Sequence, residues 1–168
     1  MKIKFTALCA AIIILMGAPI AAQAEEAMVI TIKRLTMDTA LKMAKATIEK
    51  CRKENVNVAV TIIDRGGDTQ VLLRDALAMD VTIDISRKKA YTAMSFNTRT
   101  IELQSRIKQL GPISTYNGLL LQGGGAPINI GGTIMGGIGV SGAPDSKIDQ
   151  KCADAGLNAL TAEIEMSM

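Results

Sequence analysis

The sequence predicts an α+β domain in which helices pack against an antiparallel sheet. Apolar residues recur at helical spacing near both ends of the chain, over residues 37–53 and 145–165. Between them, residues 56–63 and 69–73 are rich in β-branched side chains, and the turn at 64–68 joins them as in a hairpin. Strands linked in this way pair antiparallel, so the helices at the two ends are expected to cover a face of the sheet.

The remaining elements follow from the same patterns. Thr36 is a suitable N-cap for the first helix. Nine of the 15 glycines fall between residues 122 and 142, which indicates tight turns or close approach of backbone segments. The predicted order is therefore α-β-β-α-α-β-β-β-α, with helices at 81–96 and 98–110 and strands at 118–122, 127–130 and 133–140.

The first 24 residues have the composition of a secretory signal peptide. Lys2 and Lys4 precede an apolar run over residues 7–16, and residues 22–24 form a small-x-small cleavage site. The run is shorter than the roughly 20 residues that span a bilayer. We therefore expect residues 25–168 to form a single periplasmic or secreted domain, with no stable membrane span after cleavage.

Composition narrows the possible functions. The chain has no histidine, which removes the commonest general base, metal ligand and haem ligand. A Ser-His-Asp triad is therefore impossible, and no metal site is predicted. The net charge of +3 and the scarcity of aromatic residues also argue against nucleic acid as a partner.

Two cysteines, Cys51 and Cys152, lie in the predicted mature domain, and each falls on the apolar side of a predicted helix. Export permits a disulfide between them. Two buried free thiols are the alternative, and the sequence leaves both open.

Two further features bear on ligand binding. Residues 137–142 match the pattern GxGxxG, but no strand–helix–strand unit follows, so the glycines indicate packing and turns rather than a nucleotide site. Lys89 shares a helix side with Ile85 and Ala93, which predicts that it points inward. An inward lysine is a candidate partner for an anion or a carboxylate.

Several separated blocks resemble one known family. They are residues 87–93, 123–128, 136–143 and 153–156, and the chain is similar over residues 34–162 to the GlcG/HbpS-like, haem-degrading family. The resemblance implies a profilin-like α/β sandwich with a five-stranded antiparallel sheet. It also implies haem as a cofactor and assembly as a homo-oligomer, as in exported members of the family.

The resemblance also suggests site residues. Some members of the family ligate haem iron through a histidine, which this chain lacks. The iron ligand would then have to come from another side chain, and the candidates are Thr98, Thr100, Tyr91 and Met94. The positions carried over as ligand-binding are Lys89, Thr92, Thr98, Gly124, Gly125, Ser141 and Asp149.

Three functions remain open from the sequence. The leading hypothesis is an exported protein that binds or senses haem or a related small ligand through a concave site with a few polar anchors. The second is an enzyme or enzyme accessory acting on a small carboxylate, which Lys89 would orient and Asp149 would deprotonate. The third is a structural assembly module without a ligand.

Overall fold

The computed structural model describes residues 27–168, and the compact unit that carries the fold is Thr31–Met168. The predicted signal peptide, residues 1–24, lies outside the described residues. Among the helices that are described, none combines the length and apolar character needed to cross a bilayer.

Four α-helices and four strands make up the described part of the chain. Thr36 caps the first helix through its side chain, which accepts a hydrogen bond from the backbone N–H of Thr39. A short 3-10 helix, Gly111–Thr115, follows the third α-helix. The elements are α1 Met37–Lys53, β1 Ala59–Asp64, β2 Thr69–Arg74, α2 Thr82–Phe96, α3 Thr100–Ser105, β3 Gly125–Ile130, β4 Thr133–Ser141 and α4 Ser146–Met166.

The strands form one antiparallel sheet in the order β2-β1-β4-β3. Helices α1 and α4 pack together on one face, as expected, and α2 packs on the other. Alternate residues of β1 supply both layers: Ile62 belongs to the core beneath α1 and α4, whereas Ile63 packs against Ala90 and Met94 of α2.

A disulfide joins α1 to α4. Cys51 and Cys152 are fully buried, their Cα atoms lie 5.5 Å apart, and the sulfur atoms are bonded. The structure thus selects the disulfide from the two states that the sequence left open.

The prediction of five strands is wrong, because residues 118–122 form a loop and the sheet has four strands. Helical side chains satisfy the backbone of this segment instead of a neighbouring strand. The N–H of Leu120 donates to Thr92 Oγ1 at 2.8 Å, and that of Gly123 donates to Gln104 Oε1 at 3.0 Å. The helix predicted over 98–110 is also shorter, since α3 ends at Ser105.

Helix α2 lies unusually close to the sheet because β4 presents glycines to it. A Cβ atom at Gly137 or Gly139 would collide with the backbone carbonyl oxygen of Ala90 or Ser86, respectively. The Ser86 hydroxyl shares a 2.7 Å hydrogen bond with Thr61 of β1 at the same level. The glycines of residues 137–142 therefore serve close packing, as the sequence indicated.

Candidate functional site

A buried ion pair lies at the centre of the predicted site. Lys89 of α2 donates from Nζ to Asp149 Oδ2 of α4 at 2.8 Å and to the carbonyl oxygen of Val140 at 3.0 Å. Asp149 Oδ1 accepts from the backbone N–H of Ala143 at 3.0 Å. The two charged side chains are only 3% and 4% exposed, so each ion depends on the other for its solvation.

Burial dominates the protonation behaviour of this pair. Desolvation lowers the pKa of Lys89 from its ordinary value, and the Asp149 carboxylate acts in the opposite direction. Desolvation likewise raises the pKa of Asp149, opposed by the Lys89 ammonium and by hydrogen bonds from the backbone of Ala143 and Gly142. Removing either partner would therefore leave the other with the full desolvation penalty.

Glycine next to the pair makes room for it. Gly124 has φ +122°, a conformation that favours glycine, and a Cβ atom there would lie 2.9 Å from Lys89 Nζ. At Gly125 a Cβ atom would collide with the Lys89 carbonyl oxygen, and its N–H donates to Thr100 Oγ1 at 2.7 Å. Both predicted glycines therefore lie beside Lys89.

A polar cavity of about 370 Å³ opens above the ion pair. Ser141, at the end of β4, lines it together with Lys89 and Asp149, so the structure brings these three predicted residues together. Gln104 of α3 and Gln122 of the loop before β3 also line the cavity, and sequence reasoning missed both. Within residues 27–168, no cluster of three or more acidic or cysteine side chains has a geometry that would hold a metal ion.

The other two predicted residues lie elsewhere. Thr92 is fully buried and bridges α2 to the following loop, since its hydroxyl donates to the carbonyl oxygen of Lys88 and accepts from Leu120. Thr98 follows α2, and its hydroxyl donates to the carbonyl oxygen of Phe96. Neither threonine lines the polar cavity.

An apolar cleft of about 360 Å³ lies further along α2. The sequence has four aromatic residues, and the three that the structure describes, Tyr91, Phe96 and Tyr116, all line this cleft. The ring of Tyr91 also lies against Gly67 and Gly118. Tyr91 and Phe96 could have been associated as neighbours on α2, but only the fold brings Tyr116 beside them. The remaining lining residues are Ser95, Ile113 and Leu119.

The structure distinguishes the four side chains that the sequence offered as iron ligands. Thr100 is fully buried and its hydroxyl is held between the N–H and the carbonyl of Gly125. The Met94 sulfur is buried and accepts from Arg65 at 3.2 Å. By contrast, Tyr91 lines the open cleft, and its hydroxyl has no hydrogen-bond partner among the described residues.

Comparison with known proteins places this chain in one family. Residues 35–158 match the family described as haem degrading protein HbpS-like. The chain belongs to this family, which confirms the resemblance found in the sequence.

Two curated relatives illustrate the range of the family. A 15.0 kDa protein encoded in the dhaT–dhaS intergenic region of Citrobacter freundii is 34% identical over 119 residues, covering 66% of this chain and 82% of the relative. The corrinoid adenosyltransferase PduO of Salmonella typhimurium is 31% identical over 106 residues, covering 60% of this chain but only 32% of PduO. The chain thus corresponds to about a third of that enzyme.

Solved structures show the same fold. A double mutant of HbpS from Streptomyces reticuli has a TM-score of 0.75 at 37% identity, covering 85% of this chain and 97% of HbpS. A complex of PduOC with haem has a TM-score of 0.70 at 26% identity, covering 76% of this chain and 95% of PduOC.

Proposed function

We propose that this protein binds haem in the cleft formed by Tyr91, Phe96 and Tyr116. The observation that carries the proposal is the gathering of all three described aromatic residues around one open apolar cleft. Aromatic and aliphatic walls suit a flat porphyrin, and ligand sites are typically concave and mostly apolar. The family description and the haem complex of PduOC lend independent support.

Tyr91 is the proposed axial ligand. A tyrosine oxygen is an established haem ligand, and this chain has no histidine that could take its place. Tyr91 is half-buried and packs on Gly67 and Gly118, so its ring is held in place before a ligand arrives. Tyr116 is 63% exposed and would form a wall of the cleft. Bound haem supplies a redox-active iron.

The proposal includes export and self-association. The signal-like residues 1–24 support a periplasmic or secreted location, and the Cys51–Cys152 disulfide suits an oxidising compartment. The exposed apolar side chains of Leu77 and Met79, two residues apart in the chain, are consistent with a homo-oligomer, because an interface between copies would cover them.

A carboxylate-converting enzyme receives less support. Asp149, the candidate base, already accepts hydrogen bonds from Lys89 and Ala143. Removing a substrate proton would require this carboxylate to give up the charge partner that compensates its burial.

The test is a haemin titration of the purified protein, followed by Soret absorbance. We expect a saturable, red-shifted band whose position changes in Tyr91→Phe, which removes only the hydroxyl. Tyr116→Phe should bind with an unchanged spectrum, and Ser146→Ala, in the polar cavity, serves as the control variant. A titration without saturation would refute haem binding, and an unchanged spectrum in Tyr91→Phe would refute the assigned ligand.

A further inference from the structure

We infer that the polar cavity between α2, α3 and α4 is a second ligand site, which takes a small carboxylate. It is separate from the proposed haem cleft, and no lining residue is shared between the two. The volume of about 370 Å³ falls within the range of small-molecule sites.

Ser141 provides the strongest evidence. It is only 5% exposed, it lines the cavity, and none of the side-chain hydrogen bonds among the described residues involves its hydroxyl. The hydroxyl, accessible from the cavity, can therefore donate to or accept from a ligand that enters there.

Two other side chains at the cavity, Lys89 and Gln104, keep donors free. Lys89 has three N–H bonds and uses two of them, on Asp149 and Val140. Gln104 accepts from Gly123 through Oε1, which leaves its amide N–H₂ group available. The first turn of α4 also borders the cavity and favours negative charge.

The buried carboxylate at the cavity, Asp149, is already engaged through both oxygens, whereas Asp145 is exposed to solvent. Asp149 is bound by Lys89 and Ala143, and Asp145 accepts from the backbone N–H of Lys147 at 2.9 Å. The donors that remain at the cavity wall, on Lys89, Ser141 and Gln104, therefore point to a ligand that brings acceptor atoms, such as a carboxylate.

Lactate is a suitable probe because it carries a carboxylate and a hydroxyl in a small frame. We expect lactate to raise the melting temperature of the protein saturably, since a ligand of the native state stabilises it. Lactamide, the neutral amide, and sodium chloride at equal ionic strength should not. Ser141→Ala should weaken lactate binding about tenfold, as expected for one hydrogen bond to a charged group.

Ser95→Ala is the matched control, because this serine lines the aromatic cleft instead. It should leave lactate binding unchanged, as should Tyr91→Phe, so failure of the haem proposal would be visible separately. Gln122→Ala, at an exposed position of the cavity wall, gives a second variant that should weaken binding. The inference is overturned if tens of millimolar lactate produce no shift beyond that of lactamide. It is equally overturned if Ser141→Ala and Gln122→Ala bind lactate like Ser95→Ala.

Discussion

Replacing Lys89 by methionine tests whether the buried ion pair holds α2 to α4. The substitution keeps an unbranched side chain of similar length but leaves the Asp149 carboxylate, 4% exposed, without its charge partner. Loss of one partner of a buried pair typically lowers the free energy of unfolding by about 3–5 kcal/mol. Because Lys89 also donates to the Val140 carbonyl, we expect a loss within that range rather than below it.

The double variant Lys89→Met/Asp149→Leu distinguishes the cost of an unpaired buried charge from the cost of the lost hydrogen bonds. It buries no charge, and it leaves three backbone groups, the Val140 carbonyl and the N–H groups of Gly142 and Ala143, without these side-chain partners. Each such group costs about 1–3 kcal/mol. The double variant should therefore lose less stability than the two single variants combined, because no uncompensated buried charge remains.

Urea unfolding followed by circular dichroism, with the disulfide intact, measures these free energies. Lys88→Met is the matched control on the same helix, since Lys88 Nζ pairs with Asp84 Oδ2 at 2.9 Å at a half-exposed position. Its loss should stay below about 1 kcal/mol. The reasoning fails if Lys89→Met loses no more than Lys88→Met, or if the losses of the two single variants add in the double variant.

Two other predictions concern stability. The variant Cys51→Ala/Cys152→Ala removes the disulfide that links residues 101 positions apart. Chain entropy alone predicts that its free energy of unfolding, measured in urea, is lower by about 4–5 kcal/mol, and a loss below about 1 kcal/mol would contradict this. Gly139→Ala forces a Cβ atom against the Ser86 carbonyl and should cost at least about 1–3 kcal/mol, whereas Gly131→Asn, at a turn with φ +56°, should be nearly neutral by thermal melting. Equal melting temperatures for these two variants would count against close packing of α2 on β4.

The elements that the sequence predicted well are those defined by local pattern. Helix α1 begins and ends at the predicted residues, Met37 and Lys53, because apolar spacing and the Thr36 cap act within a few turns. The prediction of a strand at 118–122 was wrong, because a short apolar run has the same sequence pattern whether its backbone pairs with a strand or with helical side chains. Contacts such as Leu120 to Thr92 span 28 residues and leave no local trace.

The candidate site shows the same division. The inward direction of Lys89 followed from its spacing to Ile85 and Ala93 on one helix. Its partner, Asp149, lies 60 residues away, and only the family resemblance put the two in one set. The aromatic cleft was not predicted, since Tyr116 reaches Tyr91 through an irregular segment with no periodic signal.

One packing arrangement places both proposed sites. Gly137 and Gly139 let α2 settle against β4, which carries Lys89 to the first turn of α4 on one side. Two residues later the helix presents Tyr91 to the aromatic cleft on another side. A shift of α2 away from the sheet would therefore disturb the polar cavity and the cleft together, whereas a side-chain change in one cavity should leave the other intact. Gly139→Ala should thus weaken haem and lactate binding in parallel, although Tyr91→Phe and Ser141→Ala each affect only one ligand.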